Sequence, residues 1–292
     1  MADVASPGLP FDVLVEGRFT SDQLNVAYEP TPRATTPELE RRIKEEWRVR
    51  TAEAAEAGRL LFDGELLRYV THEVRDDQFR LTVGPTCYRD FVGTNLYNRH
   101  HLTEYGWARF ANPVGTTATL VTTEDLIVFG RRSDRVAWHA GYVHTFGGAL
   151  EAVDRAADGM VDAFAAVRRE LKEEIALTEA DIDQLTCAGL IRDREIHQPE
   201  LLFEARLGIS FRELLIRVSQ AEAGNEHRGL VALAGEPHLV APFLRASGRV
   251  APVAVGALLL HGRHRWGEDW YQDVTGALSA APATLAASPP AA

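Results

Sequence analysis

The sequence predicts an α+β fold, an α/β/α sandwich preceded by a smaller α+β domain. Three observations predict it. Short apolar runs mix with helical patterns in the first third of the chain. A strand-like segment ending in the pair Gly147-Gly148 then leads into an acidic helix. Further strands and helices follow that unit. The expected division puts the smaller domain at 1–113 and the larger at 114–276, with a disordered Ala/Pro-rich tail at 277–292.

The elements follow in order. FDVLVEGRF at 11–19 reads as a strand and 30–37 as a loop. Thr36 caps a helix, Pro37 fits its first turn, and Glu38 and Glu40 suit its positive end. Leu39, Ile43 and Trp47 carry the helical spacing to about residue 57, before Gly58. LLFDG, LLRYVTHEV and FRLTVG read as extended pieces. The polar stretch 84–96 reads as a structured loop entering a short helix. Residues 115–134 read as two strands joined by a turn at 123–125, and 136–148 as another strand. A helix is expected from 159 to 176, strands at 187–196, 199–209 and 228–235, and helices at 211–223, 237–246 and 254–262.

Composition bounds the function. The chain has 292 residues, 46% apolar and 25% charged, ordinary values for a protein with a sizeable core. Its 42 acids exceed its 31 bases, giving a net charge of -11. That excess argues against non-specific binding to nucleic acid or to an anionic membrane, but not against a small anionic ligand. Cys87 and Cys187 lie far apart and form no CxxC pattern, so a reducing cytoplasm is expected. No signal peptide is expected at the N-terminus. The ten histidines show no metal-ligand spacing, and none is assigned to catalysis.

Glu170, Glu173 and Glu174 stand at i, i+3 and i+4, so one helix face carries all three. Like charges there repel, and a hard divalent cation removes that cost. A solvated face balanced by Arg168, Arg169 and Lys172 is the plainer alternative. The upstream glycine pair allows close backbone approach to a phosphate or to a neighbouring helix.

Strand, glycine pair, loop and acidic helix together resemble the Nudix hydrolases. Arg169 to Leu177 match eight of the nine positions in the second half of that family's box. Ala176 replaces the box glycine, and 20 residues separate Gly148 from Arg169, more than the pattern has. The segments 61–68, 84–96 and 112–133 resemble the divergent members that cleave uridine diphosphate sugars. In those members the first acid of the box is shifted, and Asp162 fits the shifted position.

The resemblance implies an enzyme: Mg²⁺-dependent hydrolysis of UDP-glucose or UDP-galactose to UMP and sugar 1-phosphate, with Mn²⁺ as a substitute metal. It implies Glu170, Glu173 and Glu174 as metal ligands, and Glu170, Glu174 and Glu226 as catalytic residues, one of these glutamates acting as the base. Tyr88, Arg89, Asp90, Thr94, Asn95, Gly147, Gly148 and Glu151 are the candidate substrate contacts. On chemistry alone the loop residues read two ways. Either they hold phosphate, ribose and base, or Arg89 and Asp90 pin the loop as an ion pair while Thr94 and Asn95 cap the next helix. Two other functions stay open: a non-catalytic nucleotide-sugar-binding module, and a diphosphatase for ADP-ribose, dinucleotides or CoA esters. The expected partner is a small nucleotide sugar, with no nucleic acid and no membrane, and the chain a monomer or homodimer.

Overall fold

The computed structural model describes residues 8–134, 138–221, 226–246 and 249–279. The first part holds β1 (Phe11–Phe19), β2 (Leu24–Tyr28), α1 (Pro37–Glu56), β3 (Glu65–Arg75) and β4 (Gln78–Cys87). Two single turns follow, α2 (Tyr88–Phe91) and α3 (Leu102–Tyr105). The middle holds β5 (Gly115–Val121), β6 (Leu126–Arg132), β7 (Val143–His144), β8 (Phe146–Ala149), β9 (Met160–Val161) and α4 (Ala163–Ile175). The last part holds β10 (Ile182–Asp193), β11 (Pro199–Leu207), α5 (Phe211–Val218) and β12 (His227–Ala234). Three helices close the chain: α6 (Pro237–Ala246), α7 (Pro252–Trp266) and α8 (Glu268–Ser279).

The larger sheet runs β1-β10-β11-β5-β6-β12, with β8 on β5 and β7 on β6. Its β11–β5 pair is parallel, and its other pairs are antiparallel. The smaller sheet runs β3-β4-β2-β9. Strands from either side of residue 113 share both sheets, β1 with β10 and β2 with β9. The expected division at 113 therefore does not separate two hydrogen-bonded sheets. The tail reading falls mostly on 280–292, outside the described residues, while 277–279 belong to α8.

Side chains alternate across β11, and that alternation builds the layers. Leu201, Phe203 and Ala205 join Phe164, Val167 and Leu171 of α4 in one core. Phe79, Leu81 and Val83 of the smaller sheet enter the same core. Leu202 joins Leu258 of α7 in a second core on the opposite face. The result is an α+β architecture with helices on both faces of a mixed sheet.

Several elements differ from expectation. α4 begins at Ala163, because Gly159 (φ 83) turns the chain and residues 160–161 pair with β2 instead. Residues 136–148 give two short strands rather than one, and 135–137 lie outside the described residues. LLFDG is not a strand. β2 and α8 were not expected: β2 has only five residues, and α8 opens on the polar Glu268-Asp269 after a sequence rich in charge. α1 matches closely, since Thr36 Oγ1 accepts from Leu39 N at 3.2 Å and Leu39 and Ile43 are buried.

Candidate active site

α4 is fixed at both ends. Asp162 caps its start by accepting from Ala165 N at 2.8 Å. Asp162 is thus a helix cap two turns from Glu170, not a neighbour of it. At the other end Ala176 takes the left-handed conformation, φ 55 and ψ 28. Leu177 N bonds Leu171 O at 3.2 Å and Ala176 N bonds Lys172 O at 2.9 Å, a Schellman closure that glycine usually makes. The closure survives the alanine at a conformational cost of about 1 kcal/mol.

This places the two faces of α4. Leu171 and Ile175 are fully buried, and Glu170 and Glu174 face β8. The glycine pair makes this approach possible. A Cβ on Gly148 would sit 2.5 to 2.7 Å from the carboxylate atoms of Glu170. Gly147 has φ 149, and a Cβ there would strike the Thr116 backbone. Its N–H donates to Glu174 Oε2 at 3.0 Å.

The acids crowd one another. Burial lifts the Glu170 pKa to about 7, against Arg169 and with help from Glu174, Glu173 and Glu151. Burial lifts Glu174 well above the usual range, and Glu226 adds to it through charge and a side-chain hydrogen bond. Glu226 therefore reaches Glu174 from the segment before β12. His227 lies 3.6 Å from Glu174, but burial and Arg132 hold its pKa down to about 4, so it is neutral near pH 7. Arg169 is the local counter-charge. It pairs with Glu170 at 2.7 Å and Asp154 at 3.3 Å, and stands 3.9 Å from Glu173 and 4.0 Å from Glu151. Glu173 and Glu151 are nearly half exposed, at 46% and 44%.

A cavity of about 520 Å³ opens beside these acids. Gly147, Gly148, Glu226 and Tyr88 line it, together with Phe91 and Arg132. The other loop candidates are elsewhere. Asp90 is taken by Arg33 at 2.8 Å and by Arg89 at 3.2 Å, and Arg89 also reaches Asp63 at 3.5 Å. Thr94 Oγ1 donates to Asp90 O and accepts from Ala111 N. Asn95 is fully buried and bonds Asn112 and Ile196 O. Of the five loop residues, Tyr88 alone lines the cavity; the other four tie the 84–96 segment to its surroundings. Glu151 caps a short turn in a capping box with Asp154.

The cavity also gathers residues that the sequence did not single out. Arg132 ends β6, and its Nε has no hydrogen-bond partner among the described residues. Burial works against its charge, while Glu226, Glu174 and Glu200 favour it. His144, Asp193, Gln198 and Glu200 line other walls. The one signal for Arg132 was its place in the segment 112–133, and the acids at 193 and 200 flank the turn between two readable strands.

Among the described residues no group of three His, Cys, Asp or Glu side chains forms a ready-made metal cage. None of their helices is long and apolar enough to cross a membrane.

No family model matches the chain. The uridine diphosphate glucose pyrophosphatase NUDT22 of Mus musculus is 26% identical over 211 residues, 65% of this chain and 68% of that protein. The Homo sapiens protein of the same name is 29% identical over 212 residues, 65% of this chain and 70% of that protein. Among solved structures, a NUDIX hydrolase from Nitrosomonas europaea aligns over 52% of this chain and 89% of its own, with 11% identity and a TM-score of 0.36. DR0079 from Deinococcus radiodurans aligns over 51% and 81%, with 15% identity and a TM-score of 0.35. Over 65% of its length, the chain is similar to the uridine diphosphate glucose pyrophosphatases of mouse and human.

Proposed function

We propose that the chain is a hydrolase that splits the diphosphate of a uridine diphosphate sugar, UDP-glucose or UDP-galactose, into UMP and sugar 1-phosphate. The observation that carries this reading is the convergence of Glu170, Glu174 and Glu226 on the glycine pair beside one cavity. The similarity to uridine diphosphate glucose pyrophosphatases supplies the substrate class.

A divalent cation fits this donor set. Mg²⁺ needs only one or two carboxylates when phosphate oxygens and waters complete its shell, so the lack of a full protein cage is compatible with it. Glu170 and Glu174 share one helix face beside the glycine pair, with Glu226 against Glu174, and a cation there would offset the repulsion between these acids. Glu170 and Glu174 would hold Mg²⁺ or Mn²⁺, with Glu173 at the rim, and the ion would neutralise charge on the diphosphate.

The chain's own residues supply the other roles. Arg169 orients Glu170 through their 2.7 Å ion pair. Arg132 offers a guanidinium to the phosphate oxygens. Glu226, exposed and in contact with Glu174, takes the proton from the attacking water. Water adds to one phosphorus, the bridging oxygen leaves with the other phosphate, and the proton passes to solvent. Tyr88 and Phe91 give the base an aromatic wall.

The test is product release from UDP-glucose, UDP-galactose, ADP-ribose and NADH, with and without Mg²⁺. UMP and sugar 1-phosphate from the UDP-sugars alone, and only with metal, is the expected result. No product from any substrate, with UDP-glucose still raising the melting temperature, would make the chain a binding module instead.

A further inference from the structure

The cavity has a second polar wall that the proposed hydrolysis does not use. Gln198, Glu200 and Asp193 line it, around the turn between β10 and β11. Gln198 stands just before β11 and Glu200 is the second residue of that strand, and both line the cavity. Gln198 is 92% buried, and its side chain makes no hydrogen bond among the described residues. Glu200 likewise has no side-chain hydrogen bond to hold it there. Asp193 is held by the backbone, accepting from Glu195 N at 2.5 Å and Ile196 N at 3.0 Å. Gln198 and Glu200 both line the cavity, where a polar ligand would give their side chains the partners that the fold does not.

Local geometry is built around Glu200. It pairs in register with Gly115, and Gly115 pairs with Ala149, the residue after Gly148. A Cβ on Gly115 would overlap the Glu200 carboxylate, so this glycine lets the side chain lie across the ladder toward β8. Two strand spacings, about 10 Å, separate the β11 and β8 backbones, and a glutamate side chain spans about half of that. Glu200 lines the same cavity as Gly147, Gly148 and Glu226, so what it touches there shares that cavity with the proposed diphosphate site. Burial and Asp193 lift the Glu200 pKa to about 8, so near pH 7 it is an acid that donates as well as accepts. Acid, carboxylate and amide side by side suit hydroxyl groups, each of which is both donor and acceptor.

We propose that Glu200, with Gln198 and Asp193, forms a hydroxyl-reading subsite for the sugar joined to the diphosphate. This rests on the diphosphatase reading above. The shared chemistry, a sugar hydroxyl next to a phosphate, has two sources, the hexose and the ribose.

The test is steady-state kinetics on UDP-glucose, a set of monodeoxyglucose analogues of it, and its 2′-deoxyuridine analogue. Wild type, Glu200→Ala, Glu200→Gln and Gln198→Leu are compared, with melting curves as a folding control. In wild type, at least one deoxy analogue should lose about tenfold or more in kcat/KM, the worth of one hydrogen bond to such a group. Glu200→Ala should shrink that penalty to about threefold or less, mainly through KM, and Gln198→Leu should shrink it in part. Glu200→Gln, which mimics the neutral acid, should restore most of it. The analogue that carries the penalty identifies the source, hexose or ribose. An equal deoxy penalty in wild type and folded Glu200→Ala would overturn the subsite, as would the absence of any penalty in wild type. No turnover of UDP-glucose by wild type would overturn the diphosphatase reading, and the subsite with it.

Discussion

Glu200 and Glu204 stand four residues apart on β11 and on the same face of the sheet, yet they serve opposite ends. Glu204 meets His261 of α7 at 2.7 Å inside the core. Hydrogen bond and charge from His261, aided by Arg18 and Arg206, outweigh burial and hold its pKa down to about 2. Glu200 has no such partner. Burial and the neighbouring Asp193 push its pKa up to about 8 against the pull of Arg132. The same residue type on the same strand is thus a paired strut at one position and an unpaired wall of a cavity at the other. A buried acid with a partner belongs to the fold, and one without a partner points to a ligand.

Breaking the strut should have the largest effect on stability. Glu204→Ala leaves His261 buried without its partner and should cost about 3–5 kcal/mol, seen as a lower denaturation midpoint. Turnover per folded molecule should stay at the wild-type level. A normal midpoint would mean that the pair contributes nothing.

The two acids should also differ in how stability follows pH. Glu204 has a depressed pKa, so its stabilisation is present above about pH 4.5 and is lost as pH falls toward 2. Glu200 has a raised pKa, so its contribution is present below about 4.5 and is lost as pH rises through about 8. Glu200→Gln should therefore melt a few °C, about 2–4 °C per kcal/mol gained, above wild type at pH 8.5, and show less gain at pH 5. An equal shift at both pH values would contradict the pairing contrast.

The end of α4 offers the smallest effect. Ala176→Gly relieves the left-handed alanine and should add about 0.5–1 kcal/mol, with kcat unchanged. A loss of stability would mean that the Schellman closure tolerates alanine without strain.

The contrast also explains what the sequence revealed. The face of Glu170 and Glu174 was readable because helical spacing and a glycine pair are local patterns, and the approach of Glu170 to Gly148 accounts for that glycine. The difference between Glu200 and Glu204 was not readable. It depends on His261, 57 residues beyond Glu204, and on a hairpin that brings Asp193 to Glu200. Arg132 was hidden for the same reason, since β6 carries it to acids from α4, β11 and the segment before β12. The 84–96 segment offered two readings that its sequence could not separate. Its polar residues looked like ligand contacts, but Asp90, Thr94 and Asn95 spend their hydrogen bonds on Arg33, Ala111, Asn112 and Ile196. Composition shows that a polar group is present and leaves open whether the fold has already used it.

The most direct test of the proposed activity is turnover of UDP-glucose by Glu170→Gln with Mg²⁺ present, beside its melting temperature. The expected result is a fall in kcat of about a hundredfold or more with the melting temperature held or raised, because the substitution removes a charge and leaves the packing intact. Wild-type turnover by a folded Glu170→Gln protein would contradict the account.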